Sequence, residues 1–296
     1  MTRSVERDGL LATLGARLHP SSRELIVARE SEGVVLLVAD LPHPFRAAFT
    51  TRHGGVSRGA FASLNLSGDQ GDDAAAVEDN RARLTAALAA VEGGRRSSLE
   101  LVSPRQEHGF RVVGAAEYAR EGTRTPCDGL TLRAPLDDGL AVLLLFADCV
   151  PVILVGEVDM AVVHAGWRGL VGGVVQQGAR AMTGPPAAAF VGPSIGPCCF
   201  SVDETVAHEF ALRYGEEVVC EGPRVDLWRA TERALAEVEV PAARVVNPRL
   251  CTVCNSDLFF SYRKDGPLTG RQGAAAWVAD STDETGLCEA GTMKDS

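Results

Sequence analysis

Long apolar runs in the middle of the chain predict strands that are buried on both faces. Three runs follow one another, "GLAVLLLFADC" (139–149), "VPVILVG" (150–156) and "MAVVHAGWRG" (160–169). Their apolar residues do not alternate with polar ones, which is typical of strands covered on both sides of a sheet. We therefore predict three consecutive buried strands in this part of the chain.

Helical patterns lie on both sides of these strands in the sequence. Residues 71–91, "GDDAAAVEDNRARLTAALAAV", begin with acidic residues and continue with apolar residues at helical spacing, so they predict a helix. Further helices are predicted over 169–182, 203–215 and 225–238. Strand-like runs interrupted by loops are predicted over 34–67, 187–202 and 243–254, and a hairpin or strand pair is predicted over 259–278.

The order of these elements predicts the fold class. Strands and helices alternate irregularly, without an internal repeat or a linker-like segment. We predict an α+β fold, a single layered domain of mixed β-sheets covered by helices, instead of a regular parallel array. The main domain is predicted over 41–279, with an N-terminal extension of unknown role over 1–40 and a polar C-terminal tail over 280–296.

Composition and charge narrow the function classes. The chain has 296 residues, of which 46% are hydrophobic, and a net charge of −10, which disfavours binding to nucleic acid. No apolar stretch approaches the ~20 residues that span a bilayer, so no membrane partner is expected. The N-terminal segment has neither a long apolar core nor a small-residue cleavage site. We expect a cytoplasmic protein whose eight cysteines are mostly reduced thiols.

Three residues with metal-binding side chains lie where predicted strands meet loops. His108 precedes a glycine after "PRQE", Cys149 follows the "LLLFAD" strand, and His164 ends the "MAVV" strand. One thiolate and two imidazoles suit zinc and leave a fourth position open, as in catalytic sites. The spacing matches no compact ligand motif, so satisfied turn histidines and a core cysteine remain an alternative. Cys149 could also act as a nucleophile with His164 as its base.

Other residues offer weaker signals, each with a structural alternative. Arg52, in a glycine turn, could hold a phosphate or a ribose oxygen, or it could brace that turn. Asn65 could orient substrate or satisfy loop backbone groups, and Arg168 could bind an anion at a helix start or serve structure. Asp148 is interpreted as a supporting residue that orients a histidine or caps a turn, whereas Asp128 has no assigned role.

The pair Cys251 and Cys254 forms a C-x-x-C motif without a second such motif. A lone C-x-x-C is a weak metal signal, so we interpret both cysteines as packing at a strand end. Cys198 and Cys199 are adjacent, and adjacent residues rarely meet the geometry of a disulfide.

Several motifs together resemble one known family. The segments "TTRHGGVSRGAFASLNLS", "RQEHG", "ADCVPVIL", "VVHAGWRGL", "GPSIGPCCF", "LCTVC" and "FFSYRKDGPLTGRQ" occur in the order found in the YfiH/laccase-domain family. The resemblance extends from about Phe45 to Trp277. Members of that family were once labelled multicopper polyphenol oxidases and are now assigned as zinc-dependent purine nucleoside phosphorylases with adenosine deaminase activity.

The resemblance implies a function and a set of site residues. It implies that His108, Cys149 and His164 hold zinc and serve catalysis, with copper as the less favoured metal. It also implies purine nucleosides (adenosine, inosine, guanosine and methylthioadenosine) and phosphate as substrates. Arg52, Asn65 and Arg168 are the predicted substrate-binding residues. The alternatives are a thiol hydrolase or amidase that uses Cys149 and His164, a copper polyphenol oxidase, and a binding module with a structural zinc. The oligomeric state stays open.

Overall fold

A computed structural model describes residues 2–91, 99–121 and 125–279 of the chain. The C-terminal tail predicted over 280–296 lies outside the described residues. The helices are α1 (Thr2–Arg17), α2 (Ala74–Val91), α3 (Ala115–Glu121), α4 (Trp167–Gly172), α5 (Val174–Ala181), α6 (Glu204–Tyr214), α7 (Leu227–Glu237) and α8 (Tyr262–Asp265). Short 3-10 turns occur at Pro20–Ser22, Gly59–Phe61, Glu216–Val218 and Ala242–Arg244.

Most of the described strands belong to two large mixed sheets. The strands are β1 (Ile26–Ser31), β2 (Val34–Ala39), β3 (Phe45–Thr50), β4 (Glu100–Val102), β5 (Val112–Gly114), β6 (Gly129–Arg133), β7 (Leu140–Phe146), β8 (Val150–Val155), β9 (Asp159–Ala165), β10 (Ala188–Val191), β11 (Val219–Cys220), β12 (Arg224–Val225), β13 (Val245–Val246) and β14 (Gln272–Val278). β11 and β12 pair with each other as a separate antiparallel two-stranded sheet. Within the described ranges, one six-stranded sheet has the order β1-β2-β3-β14-β7-β4 and the other has the order β13-β10-β8-β9-β6-β5. Both sheets contain parallel and antiparallel pairs, so the predicted α+β class with mixed sheets is confirmed.

Alternating side chains of the central strands build the layers. In β7, Leu144 contributes to the core between the two sheets, whereas Leu143 packs in the cluster that contains Leu88 of α2. In β8, Ile153 lies in the same inter-sheet core, and Leu154 joins the cluster formed with α4 to α7. Each of these side chains is fully buried, and such burial contributes roughly 1.5–3 kcal/mol per residue. Because helices cover the outer face of each sheet, the strands are apolar on both sides.

The predicted elements agree with the structure where the hydrophobic pattern is long. The three buried strands predicted over 139–169 are β7, β8 and β9, and the helices predicted over 71–91, 203–215 and 225–238 are α2, α6 and α7. The helix predicted over 169–182 is divided into α4 and α5 at Gly173, whose φ of 88° is left-handed. Glycine adopts this conformation without the steric cost that other residues incur.

The prediction over 259–278 is wrong in its first half. Residues Tyr262–Asp265 form the short helix α8 instead of a strand, and only Gln272–Val278 forms a strand. The Ser261 side chain accepts a hydrogen bond from the backbone N–H of Lys264 and so caps the helix. The strand predicted over 243–254 is reduced to the two residues of β13, which follow the 3-10 turn at Ala242–Arg244 and precede a loop.

The first 40 residues contribute to the sheet. β1 and β2 are an antiparallel pair, and β2 pairs in turn with β3. In α1, Leu14 is fully buried in the inter-sheet core, and Arg17 forms an ion pair of 2.9 Å with Asp257. The predicted division at residue 40 therefore falls between two paired strands, and the three-part division of the chain stays a prediction. In the described part of the chain, no helix is long and apolar enough to span a bilayer.

Candidate metal centre and active-site cleft

The two sheets bring the three predicted metal ligands together. Cys149 lies in the short connection by which the chain passes from β7 in one sheet to β8 in the other. His164 is in β9, which pairs with β8 so that Pro151 lies opposite His164. His108 belongs to the loop after β4. The ligand atoms of these three side chains all lie within 4.8 Å of one another.

Two of the turns that carry the site have unusual backbone angles. His108 has a φ of 63° and Asp148, directly before Cys149, has a φ of 95°. Residues other than glycine rarely adopt such angles, and they persist only where surrounding contacts hold them. For Asp148 these contacts are the Thr252 hydroxyl, which donates to its Oδ1 at 2.6 Å, and the Arg263 backbone N–H, which donates to its Oδ2 at 2.6 Å.

Asp128, at the start of β6, organises the histidine side of the site. Its buried carboxylate accepts hydrogen bonds from the backbone N–H groups of His108 at 2.9 Å, Gly109 at 2.7 Å and Glu107 at 3.3 Å. It also accepts a bond of 2.7 Å from Nδ1 of His164. Burial opposes ionisation, but the hydrogen bond from His164 and those from the backbone lower the pKa of Asp128.

Cys149 and His164 influence each other's ionisation. Burial favours the neutral thiol, yet the neighbouring imidazoles of His164 and His108 outweigh this effect and lower the pKa of Cys149 to about 6. Burial also disfavours the charged imidazole, but the Cys149 thiolate and the Asp128 carboxylate raise the pKa of His164 to about 9. The cluster therefore stabilises a thiolate, which is the form of cysteine that binds metals.

The close approach of Gly166 restricts the space around the cluster. Val150 pairs with Ala165 in the antiparallel β8–β9 ladder. Cys149, the residue before Val150, therefore lies next to Gly166, the residue after Ala165. A Cβ atom at Gly166 would lie 2.9 Å from Cδ2 of His108 and 3.1 Å from Sγ of Cys149. Any larger residue would push these ligands apart, and this is the physical reason for glycine in "HAGWRG".

The donor set fits zinc. It consists of one thiolate and two imidazoles, which are ligands that zinc prefers, and three protein ligands are typical of catalytic zinc. The bond between Asp128 and Nδ1 of His164 fixes the ring and leaves Nε2 available as a ligand, an arrangement common among metal-binding histidines. The same donor types also bind copper, so the geometry supports a metal centre without selecting its metal.

The cluster lies in an open cleft of about 540 Å³, a volume within the ~300–1,000 Å³ range of small-molecule sites. Among the described residues, four arginines line the cleft together with the three candidate ligands: Arg105, Arg168, Arg263 and Arg271. Arg168 stacks on the ring of Trp167, with 4.2 Å between its guanidinium carbon and the ring centroid. A cleft lined by guanidinium groups is suited to an anionic ligand such as phosphate.

The other two predicted substrate residues lie outside the lining of this cleft. Arg52 donates hydrogen bonds to the carbonyl oxygens of Ala62 at 2.9 Å and Ser256 at 2.7 Å, and it packs over the Phe260 ring. In this structure Arg52 braces two loops, and its contact with substrate stays a prediction.

Asn65 is fully buried and acts on the cleft through its neighbours. Its side-chain oxygen accepts bonds from the backbone N–H of Ser67 at 3.1 Å and of Arg271 at 2.9 Å. Both Ser67 and Arg271 line the cleft. The geometry therefore gives Asn65 a positioning role, and direct contact between Asn65 and substrate stays a prediction.

Sequence reasoning missed several residues of the site. The residue that orients His164 is Asp128 and not Asp148, whose carboxylate is bonded to Thr252 and Arg263. The signal for Asp128 was its place in the motif "PCDGL", but a motif does not give a residue its partner. Arg271 likewise lies in a family motif, "TGRQ", but the motif does not show that this residue lines the cleft.

Comparison with known proteins gives a consistent family. Residues 46–279 match the family described as "Multi-copper polyphenol oxidoreductase laccase". The chain is 34% identical over 251 residues to purine nucleoside phosphorylase YlmD of Geobacillus stearothermophilus, covering 76% of this chain and 87% of that protein. It is 33% identical over 246 residues to adenosine deaminase RL5 of an unknown prokaryotic organism, covering 76% of this chain and 90% of that protein. Among solved structures, Neisseria meningitidis protein NMB0706 is similar with a TM-score of 0.72 and 33% identity, covering 83% of this chain and 99% of that one.

Proposed function

The chain belongs to the multi-copper polyphenol oxidoreductase laccase family, and from this premise we propose that it is a zinc-dependent purine nucleoside phosphorylase that also deaminates adenosine. In phosphorolysis, phosphate and a purine nucleoside yield the free base and ribose 1-phosphate. In deamination, adenosine and water yield inosine and ammonia. One relative is named a purine nucleoside phosphorylase and another an adenosine deaminase, and the chain matches 87% and 90% of their lengths. These two relatives support the two proposed reactions.

The observation that carries the proposal is the convergence of His108, Cys149 and His164 in the lining of an arginine-lined cleft. These three residues would hold the zinc ion, and Asp128 keeps His164 in the orientation that presents Nε2. Zinc bound there would supply a Lewis acid that activates water or polarises the substrate. The low pKa of Cys149 means that the thiolate is the dominant form near neutral pH, before any metal binds.

The arginines supply the phosphate side of the proposed reaction. Phosphorolysis needs a binding site for an oxyanion next to the nucleoside, whereas deamination does not. Arg168 lies in the cleft lining, exposed to it, and its guanidinium is held on Trp167 by stacking. Arg271 is more enclosed, and burial lowers its pKa against the opposing charges of Cys149 and Asp148. We assign phosphate binding to Arg168, with Arg271 as a second cation.

The central test replaces the thiolate. Cys149→Ala should abolish both reactions and lower zinc content, because one of three protein ligands is lost. Cys149→Ser keeps a weaker oxygen ligand, so excess zinc should partly restore its activity. Zinc content is measured by elemental analysis, and adenosine and inosine turnover are measured with and without phosphate. A protein that holds zinc at this site and converts no purine nucleoside would contradict the proposal.

Arg168→Ala separates the two reactions. The variant should raise the KM for phosphate and slow phosphorolysis at least tenfold, since a charged hydrogen bond contributes about 1.5–3 kcal/mol. Deamination of adenosine should change much less. Arg180→Ala, a substitution in the last turn of α5 outside the cleft lining, is the control. Equal losses in both reactions would remove Arg168 from the phosphate role.

The arrangement of Cys149, His164 and Asp128 also favours a second candidate, a thiol hydrolase. A thiol next to an imidazole whose other nitrogen is bonded to a carboxylate at 2.7 Å is the arrangement of a catalytic triad. This function requires Cys149 to attack carbon, so chelated protein would stay active and Cys149→Ser would not respond to zinc. A copper polyphenol oxidase would instead contain copper and oxidise phenols, and the arginine-rich cleft favours anionic ligands over such neutral ones.

A further inference from the structure

A second group of thiols lies apart from the metal centre described above. Cys198 and Cys199 belong to the loop after β10, and Cys251 and Cys254 belong to the loop after β13. Their four Sγ atoms all lie within 4.8 Å of one another. The Sγ of Cys254 is 3.6 Å from that of Cys198 and 3.6 Å from that of Cys199. The C-x-x-C motif therefore has the second cysteine pair that the sequence did not reveal.

The sulfur distances suit a shared metal ion. Four zinc–sulfur bonds of ~2.3 Å in a tetrahedron place neighbouring sulfurs about 3.8 Å apart. A disulfide brings its sulfurs to ~2.05 Å. The separation of 3.6 Å on two edges is close to the tetrahedral value and much longer than a disulfide bond. Four cysteines form one of the usual donor sets of structural zinc.

Backbone hydrogen bonds assemble the four thiols without help from a metal. Ser194 and Cys251 form a parallel bridge, in which the Thr252 N–H donates to the Ser194 carbonyl at 3.1 Å. The N–H of Gly196 donates to Sγ of Cys251 at 3.3 Å. The N–H of Asn255 donates to the Cys251 carbonyl at 2.9 Å, which closes the turn that carries the C-x-x-C motif. Backbone hydrogen bonds within and between the two loops thus hold the four thiols in place.

We propose that Cys198, Cys199, Cys251 and Cys254 bind one structural zinc ion, distinct from the metal at His108, Cys149 and His164. Four protein ligands leave no open position for substrate, so the role of the ion is to join two loops. Soft thiolate donors select zinc over magnesium or calcium.

The proposed ion would join the two loops at the wall of the cleft. Ile195 and Phe200 flank the first cysteine pair and line the cleft. Thr252 lies within the C-x-x-C segment and holds Asp148, the residue next to Cys149, at 2.6 Å. Loss of the ion would loosen the cleft wall at Ile195 and Phe200 and the hydrogen bond from Thr252 to Asp148. The proposed catalytic ligands themselves lie on other elements.

Metal content of single variants tests the proposal without reference to catalysis. The protein is purified without added metal or chelator and analysed by native mass spectrometry and elemental analysis. We expect Cys198→Ser and Cys254→Ser, both at exposed positions, to contain one zinc fewer per chain than wild type. Cys220→Ser, a free cysteine outside both groups, should retain the wild-type content. This difference does not depend on whether the catalytic site is filled, so the two proposals fail separately.

A measurement on the wild-type chain covers variants that do not fold. Alkylation should reach the exposed Cys198 and Cys254 slowly in the zinc-loaded protein and rapidly after chelation, while Cys220 reacts equally in both samples. Unchanged zinc content in both serine variants would overturn the proposal. A Cys198–Cys254 or Cys199–Cys254 disulfide in freshly purified protein would also overturn it. Iron or copper lost in place of zinc would overturn the assignment to zinc.

Discussion

At the scale of single residues, Asp128 orients the two histidines of the candidate metal centre. One carboxylate accepts hydrogen bonds from the backbone N–H of His108 and from the ring of His164, so it couples the loop after β4 to the strand β9. Its negative charge also stabilises the protonated Nδ1 of His164, which leaves the other ring nitrogen free for a metal.

Asp128→Asn should weaken zinc binding by ~10–100-fold, the usual effect of removing a carboxylate that supports a metal-bound histidine. The amide keeps the size of the side chain but replaces one acceptor oxygen by an NH₂ group, which repels the N–H donors around it. Zinc affinity is measured by competition with a chromophoric chelator.

The matched control is Asp137→Asn, at a buried carboxylate that accepts the Arg133 N–H at 2.7 Å and lies outside the cleft lining. This variant should lose some stability and keep its zinc affinity. Equal affinity in both variants would show that Asp128 does not support the metal.

At the scale of elements, the loop between β13 and α8 supports the turn between β7 and β8. The contact is the bond of 2.6 Å from the Thr252 hydroxyl to Asp148, which joins residues 104 positions apart in the chain. Asp148 has a left-handed φ of 95°, and only such contacts hold it there. The position of Cys149 is therefore set by a segment distant in sequence.

Thr252→Val should remove this contact while keeping the shape of the side chain. A buried acceptor left without its partner costs roughly 1–3 kcal/mol, and Asp148 is 8% exposed. We expect a lower free energy of unfolding by that amount and a lower zinc affinity, measured by urea denaturation and chelator competition.

Thr231→Val serves as the control, because Thr231 is also fully buried and its hydroxyl donates to the carbonyl of Leu227 inside α7. That carbonyl belongs to a helix and keeps its backbone partner, so the loss of stability should be smaller. If Thr252→Val left zinc affinity at the wild-type value, the loop would have no role in placing Cys149.

At the scale of the whole molecule, the sign of the charge in the cleft differs from the sign of the net charge. The chain has 29 basic and 39 acidic residues and a net charge of −10, yet four arginines line the cleft. Among the described lining residues these arginines outnumber the carboxylates of Asp69 and Asp148, so we expect the local excess of positive charge to attract small anions to this cleft. The proposed phosphate substrate fits this pattern.

The charge distribution predicts a salt dependence for one substrate only. Raising NaCl from ~0.1 M to ~1 M shortens the Debye length from ~10 Å to ~3 Å, which screens attraction between phosphate and the arginines. The KM for phosphate should rise severalfold, while the KM for the uncharged nucleoside should change little. Steady-state phosphorolysis at both salt concentrations measures this, and equal increases in the two KM values would argue against phosphate binding by the arginines.

The sequence by itself determined the buried strands, the longer helices and the positions of Cys149 and His164 at strand ends. These features depend on local periodicity, since a sustained apolar pattern along a strand or helix carries its own signal. The motifs around His108, Cys149 and His164 also identified the family. The short helix Tyr262–Asp265 was mistaken for a strand because a single turn depends on its capping bond more than on hydrophobic pattern.

Only the tertiary structure decided which residues act together. His164 meets Asp128 across 36 positions, and Cys199 meets Cys254 across 55 positions. Such contacts form when the register of β6 with β9, or the bridge between Ser194 and Cys251, brings two loops side by side. A local pattern cannot encode this, because the partner of a loop residue is set by strand order and sheet packing across the whole chain. The arginine-lined cleft and the four-cysteine group therefore emerged only when both sheets were in place.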